Sequence, residues 1–186
     1  MAFLTEERAR NAARYQTRSL VEAELRKSAS TAYSTRFDVF LSHSFLDAQI
    51  VLGVKELLEA EGLRVYVDWI EDAQMDRSQV TAKTADILRT RMQHSSSLIY
   101  ATSATSSQSK WMPWELGYFD GYRPGFVAIL PLVQSATADF KGQEYLGLYP
   151  YIEDINWDTG RRGFGRSTGP RTARTLSSLV INGFQV

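Results

Sequence analysis

The sequence predicts an α/β domain built on a parallel β-sheet with helices on both faces. Short apolar runs alternate with segments of helical periodicity, and the runs are apolar almost throughout rather than at every second residue. The length of 186 residues, with 44% hydrophobic and 23% charged residues, suits one globular domain with some appended sequence. Ligands of such sheets bind beyond the carboxyl ends of the strands, where a functional site is therefore expected.

The N-terminal region is predicted to form a helix followed by a linker. Thr5 to about Ser28 contains no Gly or Pro and is rich in Ala, Arg, Glu and Leu, which favour helix. Residues 28–35 are rich in Ser and Thr, as is typical of a linker. We therefore expect an N-terminal helix and linker over residues 1–35, ahead of the main domain.

The first half of the main domain predicts two strands and two helices. Apolar runs indicate strands at residues 37–41 and 63–69. Apolar residues at helical spacing from Leu46 indicate a helix that ends at Gly62, a natural helix terminator. A polar loop, Ile70–Met75, follows the second strand. Asp76 and Gln79 resemble a capping box that opens a helix running to about His94.

The second half continues the alternation. Strands are expected at residues 96–101 and 126–132, with a weaker fifth strand near Leu148–Ile155. The helix between them is expected from about Lys110 to Gly121, because Pro113 is tolerated only near a helix start. A final helix is expected from about Arg171. These elements divide the chain into residues 1–35, a main domain over 36–158, and a basic extension over 159–186 that holds the final helix.

Charge and composition narrow the possible partners. The net charge of zero is the sum of +3 over residues 1–36, −8 over 37–158 and +5 over 159–186. An acidic main domain argues against a nucleic-acid partner, and the basic tail is only a weak hint of one. The absence of cysteine excludes thiolate nucleophiles and zinc fingers and fits a reducing compartment. His43 and His94 are too few for a histidine-rich metal site, and no metal is expected.

The sequence also lacks the signals of membrane insertion and of several enzyme classes. No run approaches the roughly twenty apolar residues of a membrane span, and the charged N-terminus is not a signal peptide, so we expect a cytoplasmic protein without a membrane partner. No Walker loop or G-x-G-x-x-G follows the first strand. Gly165–Gly169 matches G-x-S-x-G but lacks an apolar strand before it and a later histidine, so it is interpreted as a flexible basic loop. A phospho-acceptor receiver is disfavoured because Asp68 has no acidic pair on the first strand.

Three motifs occur in order along the main domain. The first strand ends in Ser42-His43-Ser44 and is followed by Asp47. The second strand reads Val65-Tyr66-Val67-Asp68-Trp69 before the polar loop. The third motif is Trp111-Met112-Pro113-Trp114-Glu115, which fits W-x-x-x-E. This ordered set resembles the Toll/interleukin-1 receptor (TIR) domain family, and in particular small bacterial TIR proteins such as the NADases of Thoeris antiphage defence.

The resemblance covers about residues 36–158 and implies a flavodoxin-like fold with five parallel strands. It implies either NAD⁺ cleavage at the nicotinamide–ribose bond, giving nicotinamide and ADP-ribose or a cyclic ADP-ribose signal, or homotypic assembly as a non-catalytic adaptor or scaffold. It matches Glu115 to the catalytic glutamate and Ile70–Met75 to the loop that borders the NAD⁺ site and contacts other TIR domains. Self-association and a downstream effector that senses the nucleotide product are therefore expected partners. In the loop, Ile70 and Met75 are expected to be exposed apolar residues beside Glu71 and Asp72, a combination that suits a contact surface.

The chemistry of the residues agrees with the catalytic alternative. Trp111 and Glu115 are four residues apart and share one helix face. Glu115 lies near the positive helix end, and a carboxylate there stabilises an oxocarbenium-like ribose. Nicotinamide leaves NAD⁺ as a neutral molecule, so one carboxylate suffices and no cofactor besides the substrate is needed.

Further residues are predicted to bind the substrate. Phe45, Trp69 and Trp111 suit the flat rings of NAD⁺, Ser42 can offer its hydroxyl to the ribose or the diphosphate, and Lys83 can meet phosphate. His43 and Asp47 complete the predicted set, although His43 can equally bond the backbone at the strand end and Asp47 can simply favour a helix N-terminus. A nucleoside deoxyribosyltransferase, which shares the sheet architecture, is a third alternative but needs a second acid that the sequence does not identify.

Overall fold

The computed structural model describes residues 2–13, 34–44, 48–72, 75, 81–103, 106–135, 138–140, 142–169 and 172–184. Its centre is a five-stranded parallel sheet with the order β1-β5-β4-β2-β3, which confirms the predicted fold class. The strands are β1 (Leu4–Thr5), β2 (Phe37–Ser42), β3 (Val65–Tyr66), β4 (Ser95–Thr102) and β5 (Val127–Val133).

Six α-helices accompany the sheet in the described part of the chain: α1 (Glu6–Ala13), α2 (Ala48–Glu59), α3 (Asp68–Glu71), α4 (Ala82–Gln93), α5 (Met112–Tyr122) and α6 (Leu176–Asn182). Helix α2 is followed by Gly62 with φ of +84°, as the sequence predicts for a helix stop. Pro113 lies in the first turn of α5. Helix α4 is capped by Thr81, whose hydroxyl accepts from the Thr84 amide at 3.1 Å, whereas the predicted capping box at Asp76 and Gln79 lies outside the described residues.

The two faces of the sheet bury separate apolar clusters, since alternate residues of each strand point to opposite sides. One cluster includes Val39, Ile99 and Leu130 and extends to apolar residues of α1, α2 and α6. The other includes Leu98 and Ile129 and extends to α4 and α5. Both faces are covered, which is why the strands are apolar throughout.

The fifth strand of the parallel sheet is not where the sequence predicts it. The edge position belongs to β1, whose Leu4 pairs with Leu132 and whose Thr5 pairs with Val133. The predicted strand near 148–155 contributes one parallel bridge, Tyr151 to Ile129. The segment then enters β6 (Glu153–Asn156) of a second sheet. A strand of two residues is too short to show an alternation of apolar and polar residues. The position of Leu4 in the sheet therefore follows only from its pairing with the free edge of β5.

The C-terminal region also differs from the prediction. Strands β6, β7 (Arg162–Gly169) and β8 (Thr172–Thr175) form an antiparallel sheet, so the G-x-S-x-G segment is strand rather than loop. The last helix begins at Leu176 instead of about Arg171, because residues before it pair with β7. Glycines and arginines interrupt the apolar–polar alternation from which a strand is predicted, so the sequence analysis did not predict these strands.

A buried carboxylate connects the N-terminal segment to the antiparallel sheet. The Asp154 carboxylate forms an ion pair with Arg8 at 2.6 Å and accepts a hydrogen bond from Arg162 at 2.7 Å, and the Asp154 amide donates to the Ala2 carbonyl at 2.8 Å. The N-terminal strand and helix therefore pack with β6 and β7. Within the described residues, we find no helix with the length and apolarity needed to span a membrane.

Candidate active site

The strand order reverses between β2 and β4, because the chain passes from β2 outward to β3 and then returns to the other side. In open parallel sheets, this reversal leaves a crevice at the carboxyl ends of the two strands in which ligands bind. Ser42 and His43 stand at the end of β2, and Thr102 and Ser103 stand at the end of β4. The predicted site therefore lies at the position that the topology favours.

The central contact of this site joins Ser42 to Glu115. The Ser42 hydroxyl donates to Oε2 of Glu115 at 2.6 Å, a short bond of the kind made to ionised acceptors. Both residues are fully buried. Glu115 lies in the first turn of α5, where the unpaired amides of the helix favour a negative charge. The fold thus buries a carboxylate at the crevice, with the Ser42 hydroxyl and the positive helix end beside it.

Tyr100 is a neighbour that the sequence analysis did not identify. It pairs in register with Ser42 across β2 and β4, so both side chains point to the face covered by α5. Its hydroxyl is buried beside the side chain of Tyr145. Burial raises the pKa of the Tyr100 phenol, and the adjacent Tyr145 and Glu115 raise it further. Tyr100 is therefore a protonated phenol next to the Ser42–Glu115 pair.

His43 connects the end of β2 to the end of β3. Its Nδ1 lies 2.8 Å from the Leu41 carbonyl, and its Nε2 lies 3.1 Å from the Trp69 indole nitrogen. The indole N–H can only donate, so Nε2 is the acceptor and Nδ1 carries the proton. The buried Asp68 carboxylate is 3.3 Å from Nε2 and accepts from the Trp69 amide at 2.7 Å. These contacts hold Trp69 at the edge of the crevice through its indole nitrogen.

A second buried network fixes the beginning of the polar loop. Asp72 receives two hydrogen bonds from the Arg91 guanidinium, both at 2.8 Å, and one from the Tyr66 hydroxyl at 2.8 Å. Burial raises the pKa of Tyr66, and the nearby Asp68 and Asp72 carboxylates add to this. Ile70 is 3% exposed, so it is a core residue and not the exposed apolar residue that the loop was expected to offer.

The predicted ring-binding residue Trp111 is also largely enclosed. It is 5% exposed, and its ring meets that of Trp114 edge-to-face at 5.5 Å. Its carbonyl accepts from the Glu115 amide at 2.8 Å, so the two residues are one turn apart as the spacing predicts. Trp111 therefore forms part of the wall behind Glu115.

Of the remaining predicted residues, Lys83 is described by the structure and does not lie at this pair. Lys83 is exposed in the first turn of α4 and lines a shallow depression with Asp86, Ile87 and Thr90. Phe45 and Asp47 lie outside the described residues. Among the residues that the structure describes, no group of three His, Asp or Glu side chains is arranged to hold a metal ion.

The sequence analysis missed Tyr100 and the structural use of Asp68, Asp72 and Arg91. Tyr100 lies in an apolar strand and differs from its neighbours only by a hydroxyl, so it carries no signal in the sequence. Asp68 and Asp72 stand in recognised segments, but their partner Arg91 is on α4 and comes into contact only in the fold. A buried Arg is rare without an acidic partner, and which acidic residue it meets depends on the tertiary fold.

Comparison with known proteins tests the family resemblance. No protein-family model matches the chain. Over 117 residues the chain is 60% identical to a Bacillus cereus (strain MSX-D12) protein named "Probable 3' cyclic ADP-D-ribose synthase ThsB'", and the match covers 62% of this chain and 60% of that protein. Over 83 residues it is 28% identical to a Cytobacillus dafuensis protein named "Putative cyclic ADP-D-ribose synthase TIR2", covering 44% of this chain and 22% of that protein.

The matched stretch spans less than two thirds of either relative. The resemblance to bacterial TIR proteins that the three motifs predict is confirmed by these matches.

Proposed function

We propose that this chain, which resembles bacterial TIR proteins in sequence and fold, is an enzyme that cleaves the nicotinamide–ribose bond of NAD⁺. The observation that carries the proposal is the Ser42–Glu115 pair, a buried carboxylate in the first turn of α5 at the crevice between β2 and β4. A buried carboxylate is costly at such a place unless it is partnered or used, and here it meets the Ser42 hydroxyl and the positive end of α5.

In the proposed reaction the bond between ribose C1 and the pyridinium nitrogen breaks. The electron pair of the bond goes to the nitrogen, so nicotinamide leaves as a neutral molecule and positive charge develops on the ribose. The Glu115 carboxylate stabilises that charge, and Ser42 fixes the orientation of the carboxylate. Since Glu115 has no exposed surface, the substrate reaches it only after a change of conformation that uncovers the carboxylate.

We further propose that the ribose cation is captured by a hydroxyl group of the same molecule, which loses its proton and gives a cyclic ADP-ribose. The names of both relatives, which describe cyclic ADP-D-ribose synthases, favour cyclisation over hydrolysis. By analogy with the TIR proteins that the sequence resembles, the product would signal to a downstream effector in cytoplasmic antiphage defence. No metal or further cofactor is part of this proposal.

The Glu115→Gln variant tests the proposed reaction. The change keeps the shape and the contact with Ser42 but removes the charge, so we expect NAD⁺ consumption to fall by about a hundredfold or more. Products of the purified chain and the variant are separated by chromatography and identified by mass. Glu144→Gln, the same change at an exposed position, is the control and should keep full activity.

The alternative is a TIR adaptor or scaffold without turnover. It predicts no nicotinamide release from the unmodified chain under any condition, together with a folded Glu115→Gln variant that behaves like the parent. A folded variant that still consumes NAD⁺ at the parent rate would instead remove Glu115 from the catalytic role.

We also propose that the chain associates with copies of itself through the region of the polar loop. Of the two apolar residues that were expected to be exposed in this loop, Ile70 is buried and Met75 is half-buried, so only Met75 is partly available for a contact. Replacing them with Ser would therefore disturb the core. The better test is dilution: specific activity that falls over a hundredfold dilution, about 2.7 kcal/mol of mass action, supports assembly, whereas constant specific activity contradicts it.

A further inference from the structure

A cavity of about 540 Å³ opens at the carboxyl ends of β4, β5 and β1, beside the candidate active site. Thr102 and Ser103 form the side nearest the site, and Glu6, Gln134 and Gln143 supply polar groups from the surrounding segments. Thr102 is two residues beyond Tyr100, the register partner of Ser42, so the cavity begins about 7 Å along β4 from the Ser42 position. Neither Glu115 nor Trp111 lines it.

One wall of the cavity is a firmly held aromatic ring. Phe140 packs edge-to-face against Phe3 at 6.2 Å and against Tyr151 at 5.6 Å. A Cβ atom on Gly142 would come within 2.5 Å of the Phe140 ring, so the absence of a side chain at Gly142 lets the ring lie where it does. The ring is therefore positioned before any ligand arrives, as suits a flat group that stacks.

The polar groups of the cavity select the class of ligand. Its described charged lining residues, Glu6 and Asp139, are both acidic, and Arg10 of α1 pairs with Glu6 at 3.6 Å. Carboxylates accept hydrogen bonds from sugar hydroxyls, as acidic residues do for ribose in dinucleotide sites. The Gln143 side-chain oxygen already accepts from the Tyr145 hydroxyl at 2.8 Å, so Gln143 offers its NH₂ group, and Gln134 its side-chain amide, to the polar edge of a base. Hydroxyls, amides, carboxylates and a ring wall together fit a ribonucleoside.

We propose that this cavity binds the adenosine moiety of the substrate, with the ribose hydroxyls on Glu6 and the base between Phe140 and Gln143. The identification of the ligand as part of NAD⁺ rests on the proposed function. The nicotinamide end must reach Glu115, so the other nucleoside of the dinucleotide is the one left for a neighbouring cavity. The diphosphate then lies between the two sites and outside the acidic lining.

Binding of adenosine to the full chain tests the proposal without any turnover. Calorimetric titration should show saturable binding of adenosine, with 2′,3′-dideoxyadenosine weaker by about tenfold because Glu6 loses its partners. Glu6→Gln and Gln143→Ala should each weaken adenosine binding by a similar factor. Glu144→Gln, next to Gln143 but outside the cavity, is the matched control and should bind as the parent does.

The two proposals fail separately. Adenosine that does not bind at millimolar concentration, or that binds equally well to Glu6→Gln and Gln143→Ala, overturns the cavity assignment even if NAD⁺ is consumed. Saturable adenosine binding that these variants weaken supports the assignment even if no nicotinamide is released. In an active enzyme the same variants should raise KM for NAD⁺ by about tenfold with kcat largely kept; a loss confined to kcat contradicts the assignment.

Discussion

Trp111 and Trp114 are three residues apart on one helix, and the structure gives them different surroundings. The sequence predicts that Trp111→Ala lowers activity and that Trp114→Ala mainly lowers stability. Burial reverses the second part, because Trp111 is 5% exposed, whereas Trp114 is half-buried. The Trp114 ring stacks on Tyr118 at 5.7 Å, and Arg89 lies over it at 5.4 Å.

We therefore expect Trp111→Ala to lower the free energy of unfolding by about 3–5 kcal/mol and Trp114→Ala by about 1 kcal/mol. Urea denaturation measures both. Trp111→Phe keeps a buried ring and separates the two roles of Trp111: lower NAD⁺ turnover in a folded Trp111→Phe variant supports contact with the substrate. A larger loss of stability for Trp114→Ala than for Trp111→Ala would contradict this prediction.

At the scale of elements, helices α1 and α2 touch at a point that has no room for a side chain. A Cβ atom on Gly53 of α2 would lie 1.7 Å from the Ala9 carbonyl oxygen of α1, which is backbone and cannot rotate away. Gly117 of α5 is also inside a helix, but a Cβ atom there meets no atom within 4 Å. The two glycines therefore differ only in their tertiary surroundings.

We expect Gly53→Ala to lower the free energy of unfolding by at least about 1–3 kcal/mol through overpacking. Gly117→Ala should raise it by up to about 1 kcal/mol, since Ala favours helix over Gly. Matched urea denaturation curves measure the difference. Equal stabilisation by both changes would mean that α1 does not pack on α2 as described.

At the scale of the whole molecule, buried phenols couple stability to alkaline pH. Burial is the largest cause that raises the pKa of Tyr66 and Tyr100, and with Asp120 it raises the pKa of Tyr149 to about 12. The unfolded chain loses these protons near pH 10, whereas the folded protein keeps them. The folded state then binds more protons, so stability is fully present below about pH 10 and falls as the pH rises above it.

We expect the urea midpoint to be nearly constant from pH 8 to 9 and to fall from pH 10 to 11, with each such tyrosine contributing about 1.4 kcal/mol per pH unit. Tyr149→Phe should make the decline shallower by one such contribution. Phenolate absorbance reports ionisation directly. Ionisation of all nine tyrosines near pH 10 in the folded protein would refute the prediction.

The sequence by itself determined the alternation of strands and helices and the parallel sheet, because these follow from local apolar runs and from the geometry of βα units. It also predicted a site at the carboxyl ends of the strands, whereas the strand order that locates the crevice between β2 and β4 came from the structure. The sequence also singled out Glu115 as a candidate catalytic residue, because a carboxylate between apolar neighbours is costly unless it is used and because W-x-x-x-E resembles the TIR motif; that role stays a prediction.

Only the tertiary structure decided which residues meet. Leu4 completes the parallel sheet because β5 has a free edge, and Ser42 reaches Glu115 across 73 positions of the chain. Asp72 finds Arg91, and Asp154 joins Arg8 and Arg162, through side chains that no local pattern links. A hydrogen bond between distant segments depends on how whole helices and strands pack, so the sequence around one partner does not indicate the other.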